Sequence, residues 1–269
     1  MRLSVIILTM GEQDRLLACL ESLRHQLAEG TCQIIVVDNA STDGMDQLLR
    51  ERFPQLRLIR NRSNVGVSRG RNQGIAAASS DYLLILDDDT IVQPGSLQAA
   101  LEYMESHADV GVLGARLENR DGSTQMSCRR FPTLWIPLAS RIPLLGRVPF
   151  MRRRLQQHLM TDFDHAQVAE VDYVLGAFQL LRRQVIDSVG TFDERIFFGP
   201  EDCDYALRCW RAGWRVVYFP PARVVHRHCR RTRRVGILML AHIKGMIWYF
   251  WKHRYLVRPP SHNLYRPVP

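Results

Sequence analysis

The feature that most constrains the fold is a regular alternation of short β-branched runs with stretches of helical spacing. Leu3 to Leu8 (LSVIIL) and Cys32 to Val37 (CQIIVV) are strand-like, and Arg15 to Gln26 between them sets Leu16, Leu17, Leu20 and Leu23 at helical intervals. The pattern repeats with a helix over Met45 to Arg52, a strand over Arg57 to Arg60, a helix over Gly70 to Ser79 and a strand over Asp81 to Leu86. A further helix, Gly95 to Ser106, leads to a strand at Val110 to Ala115. Such alternation predicts an α/β fold on a mostly parallel sheet with helices on both faces.

The texture then changes. Arg129 to Arg154 carries four prolines and a crowd of arginines among large apolar residues, and reads as an irregular excursion. Regular structure resumes with a strand over Val171 to Arg182 and helices over Gln184 to Val189 and Asp202 to Ala212. Strands follow at Val216 to Phe219 and Val224-Val225. Asn119 to Gly122 reads as a turn between strands.

Composition excludes other classes. With 46% hydrophobic and 23% charged residues the 269-residue chain has the makings of a packed core, which rules out disorder, collagen and coiled coil. The longest apolar run, Val235 to Trp251, is interrupted by His242 and Lys244 and is too short to span a bilayer. Six scattered cysteines without a CxxC pair fit free thiols in a reducing cytoplasm rather than a disulfide frame or a zinc site. Charge is unevenly placed: residues 1–204 hold 22 basic and 27 acidic residues, whereas residues 205–269 hold 14 basic residues and no acid. A tail of this kind suits nucleic acid, an anionic membrane surface or a polyphosphate ligand.

In an open parallel sheet the carboxyl ends of the strands line one crevice, so three segments are expected to meet: Thr9-Met10-Gly11, Asp38 to Gly44, and Asp87-Asp88-Asp89-Thr90. Three aspartates in a row after YLLIL repel one another, and a hard divalent cation, Mg2+ or Mn2+, would relieve that repulsion. The stretch Asn64 to Gly74 reads as a Gly-rich, Arg-bearing loop running into a helix, with glycines that permit close backbone approach and Arg71 able to fork onto phosphate. Phe198 to Asp204 brings Glu201, Asp202 and Asp204 to a helix start behind apolar residues, where burial would raise a carboxyl pKa and make a general base. His226, after a strand, is a plausible further ligand if it shares the crevice.

The ordered set VIILT, IIVVDNASTDG, NVGVSRGRNQGI, DYLLILDDDT, VDYVLGAFQLLRR, VGTFDERIFFGPEDCDYALRCWRAGWRVVYFP and VVH resembles the nucleotide-sugar-dependent glycosyltransferases of family 2, and within them the bacterial rhamnosyltransferase-like branch. The resemblance covers residues 1–232. It implies a GT-A fold and an inverting transfer from a nucleoside diphosphate sugar, dTDP-rhamnose first, with UDP- or GDP-sugars as alternatives. The implied acceptor is a hydroxyl of a glycan or lipid-linked acceptor in cell-surface polysaccharide synthesis. It further implies that Thr9, Asp38 and Asn39 contact the nucleoside and that Arg71 lies near the diphosphate. Asp87 and Asp89 fall on the metal motif with His226 near the metal or diphosphate, Asp88 is grouped with the donor-binding residues, and Asp202 matches the base, with Asp204 as its alternative. Met10-Gly11 departs from the family, which commonly has an aromatic residue and Asn there. The expected organisation is a catalytic domain over residues 1–229, with residues 1–118 holding the donor and 119–229 the acceptor and base, followed by a basic amphipathic tail over 230–269.

Two other readings of the chain fit less well. A nucleic-acid or anionic-surface binding module would use the tail, but the chain lacks an RNA-binding motif, its acidic front would repel a nucleic-acid backbone, and Asp87 to Asp89 stay unexplained. A sugar nucleotidyltransferase would want a basic Gly-rich loop after the first strand, where this chain has Thr9-Met-Gly-Glu-Gln-Asp. The tail itself predicts a helix with Leu238, Ala241, Gly245, Trp248 and Phe250 on one stripe. Arg230, Arg231, Arg233 and Arg234 flank it on one side and Lys252 and Arg254 on the other. That helix suits the interface of an anionic leaflet, and its alternative is packing on the catalytic domain or on a second subunit. The expectation is a cytoplasmic enzyme peripheral to the inner face of the cell membrane.

Overall fold

The computed structural model describes residues 2–24, 32–141, 148–227 and 236–260. Four strands and their helices form the first half: β1 (Leu3–Thr9), α1 (Gln13–Arg24), β2 (Cys32–Asp38), α2 (Met45–Arg52), β3 (Arg57–Arg60), α3 (Val67–Ala77) and β4 (Tyr82–Asp87). Here β1 pairs in parallel with β2 and β4, and β2 with β3. Leu3, Val5, Ile6 and Ile7 of β1 and Leu83 to Leu86 of β4 are buried, because helices cover both faces of the sheet.

The second half departs from the expected parallel order. After β5 (Thr90–Val92), α4 (Ser96–Ser106) and β6 (Val110–Glu118), the chain returns as β10 (Phe178–Arg182), which inserts between β4 and β6 antiparallel to both. The last strand, β11 (Arg215–His226), runs parallel to β6 and antiparallel to β5, giving the order β3-β2-β1-β4-β10-β6-β11-β5. The sheet is therefore parallel on its first side and mixed on its second. The short β8 (Ala169–Glu170) pairs with β11, and β7 (Cys128–Arg129) pairs with β9 (Tyr173–Val174) in a separate ribbon. What read as one strand from Val171 to Arg182 is thus two, broken at Leu175 to Ala177.

Residues 129–154 are not irregular throughout. They contain α5 (Trp135–Arg141) and the start of α6 (Pro149–Leu159). Pro137 and Pro149 fall in the first turns of these helices, where a missing N–H costs nothing. Farther on lie α7 (Arg183–Val189), α8 (Glu201–Arg211) and α9 (Ile237–His253).

Two further expectations change. The helix expected over Gly70 to Ser79 is α3, which starts earlier, at Val67, and its Gly70 and Gly74 are buried against β1 rather than offering backbone to a ligand. A Cβ at either would come within 2.5 Å of Leu8 Cδ1 or 2.3 Å of Ile6 Cγ2, so their smallness seats α3 on β1. The tail helix α9 packs on the preceding fold through Gly245, Met246, Tyr249, Phe250 and His253, a stripe shifted from the one expected. Its opposite face leaves Ile237, Leu240, Ile247 and Trp251 exposed. Arg230, Arg231, Arg233 and Arg234 lie outside the described residues. Among the described cysteines all are free thiols.

Candidate active site

The ends of β1, β2 and β4 converge as the crevice rule requires. The Asn39 amide donates to the Thr9 carbonyl at 2.8 Å, and the Thr9 hydroxyl donates to Asp88 Oδ2 at 2.7 Å. Asp38 is wholly buried; its Oδ1 accepts the Ser41 amide at 2.8 Å. Its Oδ2 has no hydrogen-bond partner, although Arg60 Nε stands 3.6 Å away, inside ion-pair range and outside hydrogen-bond range. A desolvated acceptor of this kind is ready for a ligand N–H or O–H. The Asn39 side chain is engaged with the next loop: it donates to Asn64 Oδ1 at 2.8 Å and accepts the Val65 amide at 2.9 Å. Where the family has an aromatic residue, Met10 is exposed and its sulfur accepts from Asn64 Nδ2.

Asp87, Asp89 and His226 meet beside this crevice, each offering a ligand atom within 4.8 Å of the others. β11 runs antiparallel to β5 in a register that sets His226 opposite Thr90, which is why a residue so distant in sequence arrives here. His226 Nε2 lies 3.4 Å from Asp89 Oδ1. Its Nδ1 lies 2.9 Å from Gln125 Oε1, and the Gln125 amide nitrogen donates to the His226 carbonyl at 2.8 Å. Because Gln125 Oε1 only accepts, the ring proton is assigned to Nδ1, which turns Nε2 toward the carboxylates. Burial disfavours the charged ring, but Asp89, Asp87 and Asp88 outweigh it and hold the His226 pKa above its usual value. Burial likewise works against the Asp89 carboxylate, and His226 and Arg15 overcome it to bring that pKa down. For Asp88, burial wins and pushes the carboxyl up to about 6 against the Thr9 hydrogen bond. Two carboxylates and an oriented imidazole form a donor set that fits a divalent cation such as Mn2+ or Mg2+.

A second group of acids is tied to the first by Arg71. This buried guanidinium reaches Asp87 Oδ1 at 2.9 Å with Nη2 and Glu201 Oε1 at 3.1 Å with Nη1, and donates to the Gly176 carbonyl at 3.0 Å. A Cβ at Gly176 would lie 2.5 Å from Nη1, so a side chain there would displace the guanidinium. Glu201 and Asp202 open α8. Burial pushes Glu201 up to about 7 although Arg71 pulls against it, and burial also raises Asp202 against the Cys203 amide, Arg71 and Arg129. Asp202 Oδ2 faces the Gly176 amide at 3.4 Å.

Asp204 points elsewhere. Wholly buried, it accepts from Lys252 Nζ at 2.7 Å, His253 Nε2 at 2.8 Å and Arg208 Nε at 2.9 Å. These partners overcome burial and take its pKa down to about 2. It is an anchor for α9, remote in role from the acids that face Arg71.

Sequence reasoning missed Gln125, 101 residues from its partner, and the part Glu201 plays in holding Arg71. Glu201 had a signal in its place beside Asp202 in an acidic helix start; Gln125 had none.

Known proteins share this arrangement of elements. The chain is 30% identical over 245 residues to the N-acetylglucosaminyl-diphospho-decaprenol L-rhamnosyltransferase of Mycobacterium tuberculosis, covering 86% of this chain and 78% of that one. It is 28% identical over 191 residues to the succinoglycan biosynthesis protein ExoO of Rhizobium meliloti, covering 65% of this chain and 54% of that one. Among solved structures it resembles a mannosyltransferase from Pyrobaculum calidifontis, in complex with GDP-Man and Mn2+, with TM-score 0.64 and 19% identity over 96% of this chain and 66% of that one. It also resembles S. aureus TarS in complex with UDP-GlcNAc, with TM-score 0.61 and 18% identity over 89% of this chain and 61% of that one. These two likenesses identify the fold as GT-A. Residues 4–190 match the family described as Glycosyl transferase family 2, and with the identity to the mycobacterial enzyme over most of both chains, the protein belongs to that family.

Proposed function

We propose that this glycosyltransferase moves a sugar, by our reading rhamnose from dTDP-rhamnose, onto a hydroxyl of a lipid-linked glycan in cell-surface polysaccharide synthesis, with inversion at the anomeric carbon. The observation that carries the mechanism is the pairing of two acid groups through Arg71, one beside His226 and one at the start of α8. The choice of donor and acceptor rests on the mycobacterial relative, whose name specifies an N-acetylglucosaminyl-diphospho-decaprenol acceptor.

In this reading residues 1–118 hold the donor, and residues 119–229 hold the acceptor and the base. Thr9, Asp38, Asn39, Asp88 and Arg71 line the donor end; Asp87, Asp89 and His226 hold a divalent cation. When bound, that cation supplies positive charge to the departing diphosphate. Asp202 is the base rather than Asp204, because Asp204 is consumed by Lys252, His253 and Arg208. Burial raises the proton affinity of Asp202 toward the range in which a carboxylate can take an acceptor hydroxyl proton at neutral pH. Attack by that hydroxyl on the face opposite the diphosphate inverts the sugar. Only one catalytic carboxylate is then required, unlike the paired acids of glycoside hydrolysis.

The enzyme works at the inner face of the cell membrane as a peripheral protein. No helix among the described residues is long and apolar enough to cross a membrane. Support for attachment comes from α9, whose outward stripe of Ile237, Leu240, Ile247 and Trp251 also carries the exposed Lys244.

The test is transfer to a polyprenyl-diphosphate N-acetylglucosamine acceptor with dTDP-rhamnose and Mg2+ or Mn2+, run beside UDP- and GDP-sugars. Release of dTDP with a rhamnosylated lipid supports the reading. Turnover with only a UDP- or GDP-sugar overturns the donor, and pyrophosphate release from a nucleoside triphosphate overturns the class.

A further inference from the structure

The geometry points to the α5–α6 hairpin, together with Leu256 and Val257, as a membrane-docking face that sets the active site against an anionic bilayer. This rests on the peripheral reading above and adds a second contact that α9 does not supply.

The two longest acid-free stretches of the chain are residues 123–161, with seven arginines, and residues 205–269, with 14 basic residues. Among the described residues the fold brings one end of each together. The Leu134 amide donates to the Leu256 carbonyl at 2.7 Å, so the segment after α9 lies along the start of the hairpin. At this junction large apolar side chains face solvent: Leu134, Val148, Phe150 at 50% exposure, Leu256 and Val257. Phe150 is held in place, edge-on to Trp135 at 5.9 Å and under the Arg154 guanidinium at 5.3 Å. Arg152 and Arg153 are exposed beside it, as are Arg254 and Arg258 after α9.

Apolar side chains interleaved with arginines, on two segments that carry no acid of their own, match one partner best. Phe150, Val148, Leu256 and Val257 enter the headgroup and acyl boundary while the guanidinium groups meet lipid phosphates. A protein partner would more naturally meet mixed charge at the rim.

The position has a functional consequence. β7 leads directly into the hairpin, and the charge of its Arg129 acts on Asp202. β7 also pairs with β9, which runs into Gly176, the residue facing Asp202. Docking through the hairpin therefore holds the base beside the leaflet in which a lipid-linked acceptor is anchored.

The experiment is flotation of the full chain with vesicles of phosphatidylcholine alone or mixed with phosphatidylglycerol, at low and high salt. Three variants are compared with the parent: Phe150→Glu, the double change Arg152→Glu with Arg153→Glu, and on α9 Ile247→Glu with Trp251→Glu. A thermal shift with dTDP-rhamnose and Mn2+ reports that each variant is folded. The double arginine variant should lose roughly 30-fold or more in partition to the mixed vesicles, since each basic residue near an anionic surface adds about 1 kcal/mol. Phe150→Glu should lose binding as well, with the nucleotide-sugar shift kept in both. Parental binding by both folded hairpin variants overturns the inference; if the α9 variant alone then loses binding, the peripheral reading stands without it. Failure of the parent to bind either vesicle overturns both. A parent that self-associates and is made monomeric by Phe150→Glu, without binding vesicles, assigns the face to a second copy and also overturns the inference.

Discussion

Asp202 and Asp204 are two residues apart, carry the same side chain and should respond to the same change in opposite ways. Asp204→Asn leaves Lys252, His253 and Arg208 facing a neutral group in a buried setting. The native pKa of Asp204 is depressed from 3.8 to about 2. Its contribution is therefore present above pH 4 and lost as pH falls through about 2, and is on the order of 2 kcal/mol. Removing one partner of a buried ion pair costs more, about 3–5 kcal/mol, because the cations stay behind. In a chain of this size that lowers the melting temperature by roughly 10 °C. Asp202 has the opposite sign: its pKa is raised by burial, so its charged form burdens the native state above its unfolded pKa. Asp202→Asn should melt no lower than the parent at neutral pH, still bind donor, and transfer sugar about 10²–10⁴-fold more slowly. Calorimetry at neutral pH, nucleotide-sugar binding and single-turnover transfer read the three quantities. Loss of transfer in a fully stable Asp204→Asn, with Asp202→Asn active, would refute the assignment of roles.

Three further outcomes follow from the geometry. Chelation should abolish transfer and added Mn2+ or Mg2+ restore it, whereas Asp89→Ala should not be rescued; full activity in excess chelator refutes the cation site. Gly176→Ala should cut transfer while leaving the fold intact, because its Cβ would press within 2.5 Å of Arg71 Nη1 and break the link from Asp87 to Glu201; parental kinetics would show that the link is dispensable. Asp172, buried and accepting the Phe131 amide at 2.6 Å, is pushed up to about 6, so its stability contribution is full below pH 4 and is lost as pH rises through 6. Asp172→Asn should stabilise the fold at pH 8 by up to about 3 kcal/mol, read as a higher melting temperature, and leave it unchanged at pH 4; a uniform shift at both would refute that sign.

The first half of the fold was legible because its parallel strands are buried on both faces and stand out as continuous apolar runs, with helices of clear period between them. Strand direction is not written in such runs. Nothing local in Phe178 to Arg182 says that it turns back between β4 and β6, since that depends on pairings with residues far along the chain. The hairpin was obscured for a different reason: Pro137 and Pro149 look like breakers until their place in the first turn is known.

The acidic triplet stood out because three adjacent carboxylates repel one another, and the meeting of Asp87 and Asp89 with His226 follows from the register of β11 on β5. The resemblance matched Asp202 to the base with Asp204 as its alternative, but nothing local in the helix start separates the two, and α9 shows why. Two residues apart on a helix they point about 200° away from each other, so one must face away from the site whichever serves it. The helix start alone is symmetric in this respect. What breaks the symmetry is Lys252 and His253, at the end of a tail helix that read from sequence as an amphipathic stripe with a basic fringe. One face of that helix claims Asp204 for structure and, by elimination, leaves Asp202 to the cleft. Its other face remains apolar and exposed, so the element that fixes the candidate base also carries part of the surface proposed to meet the membrane.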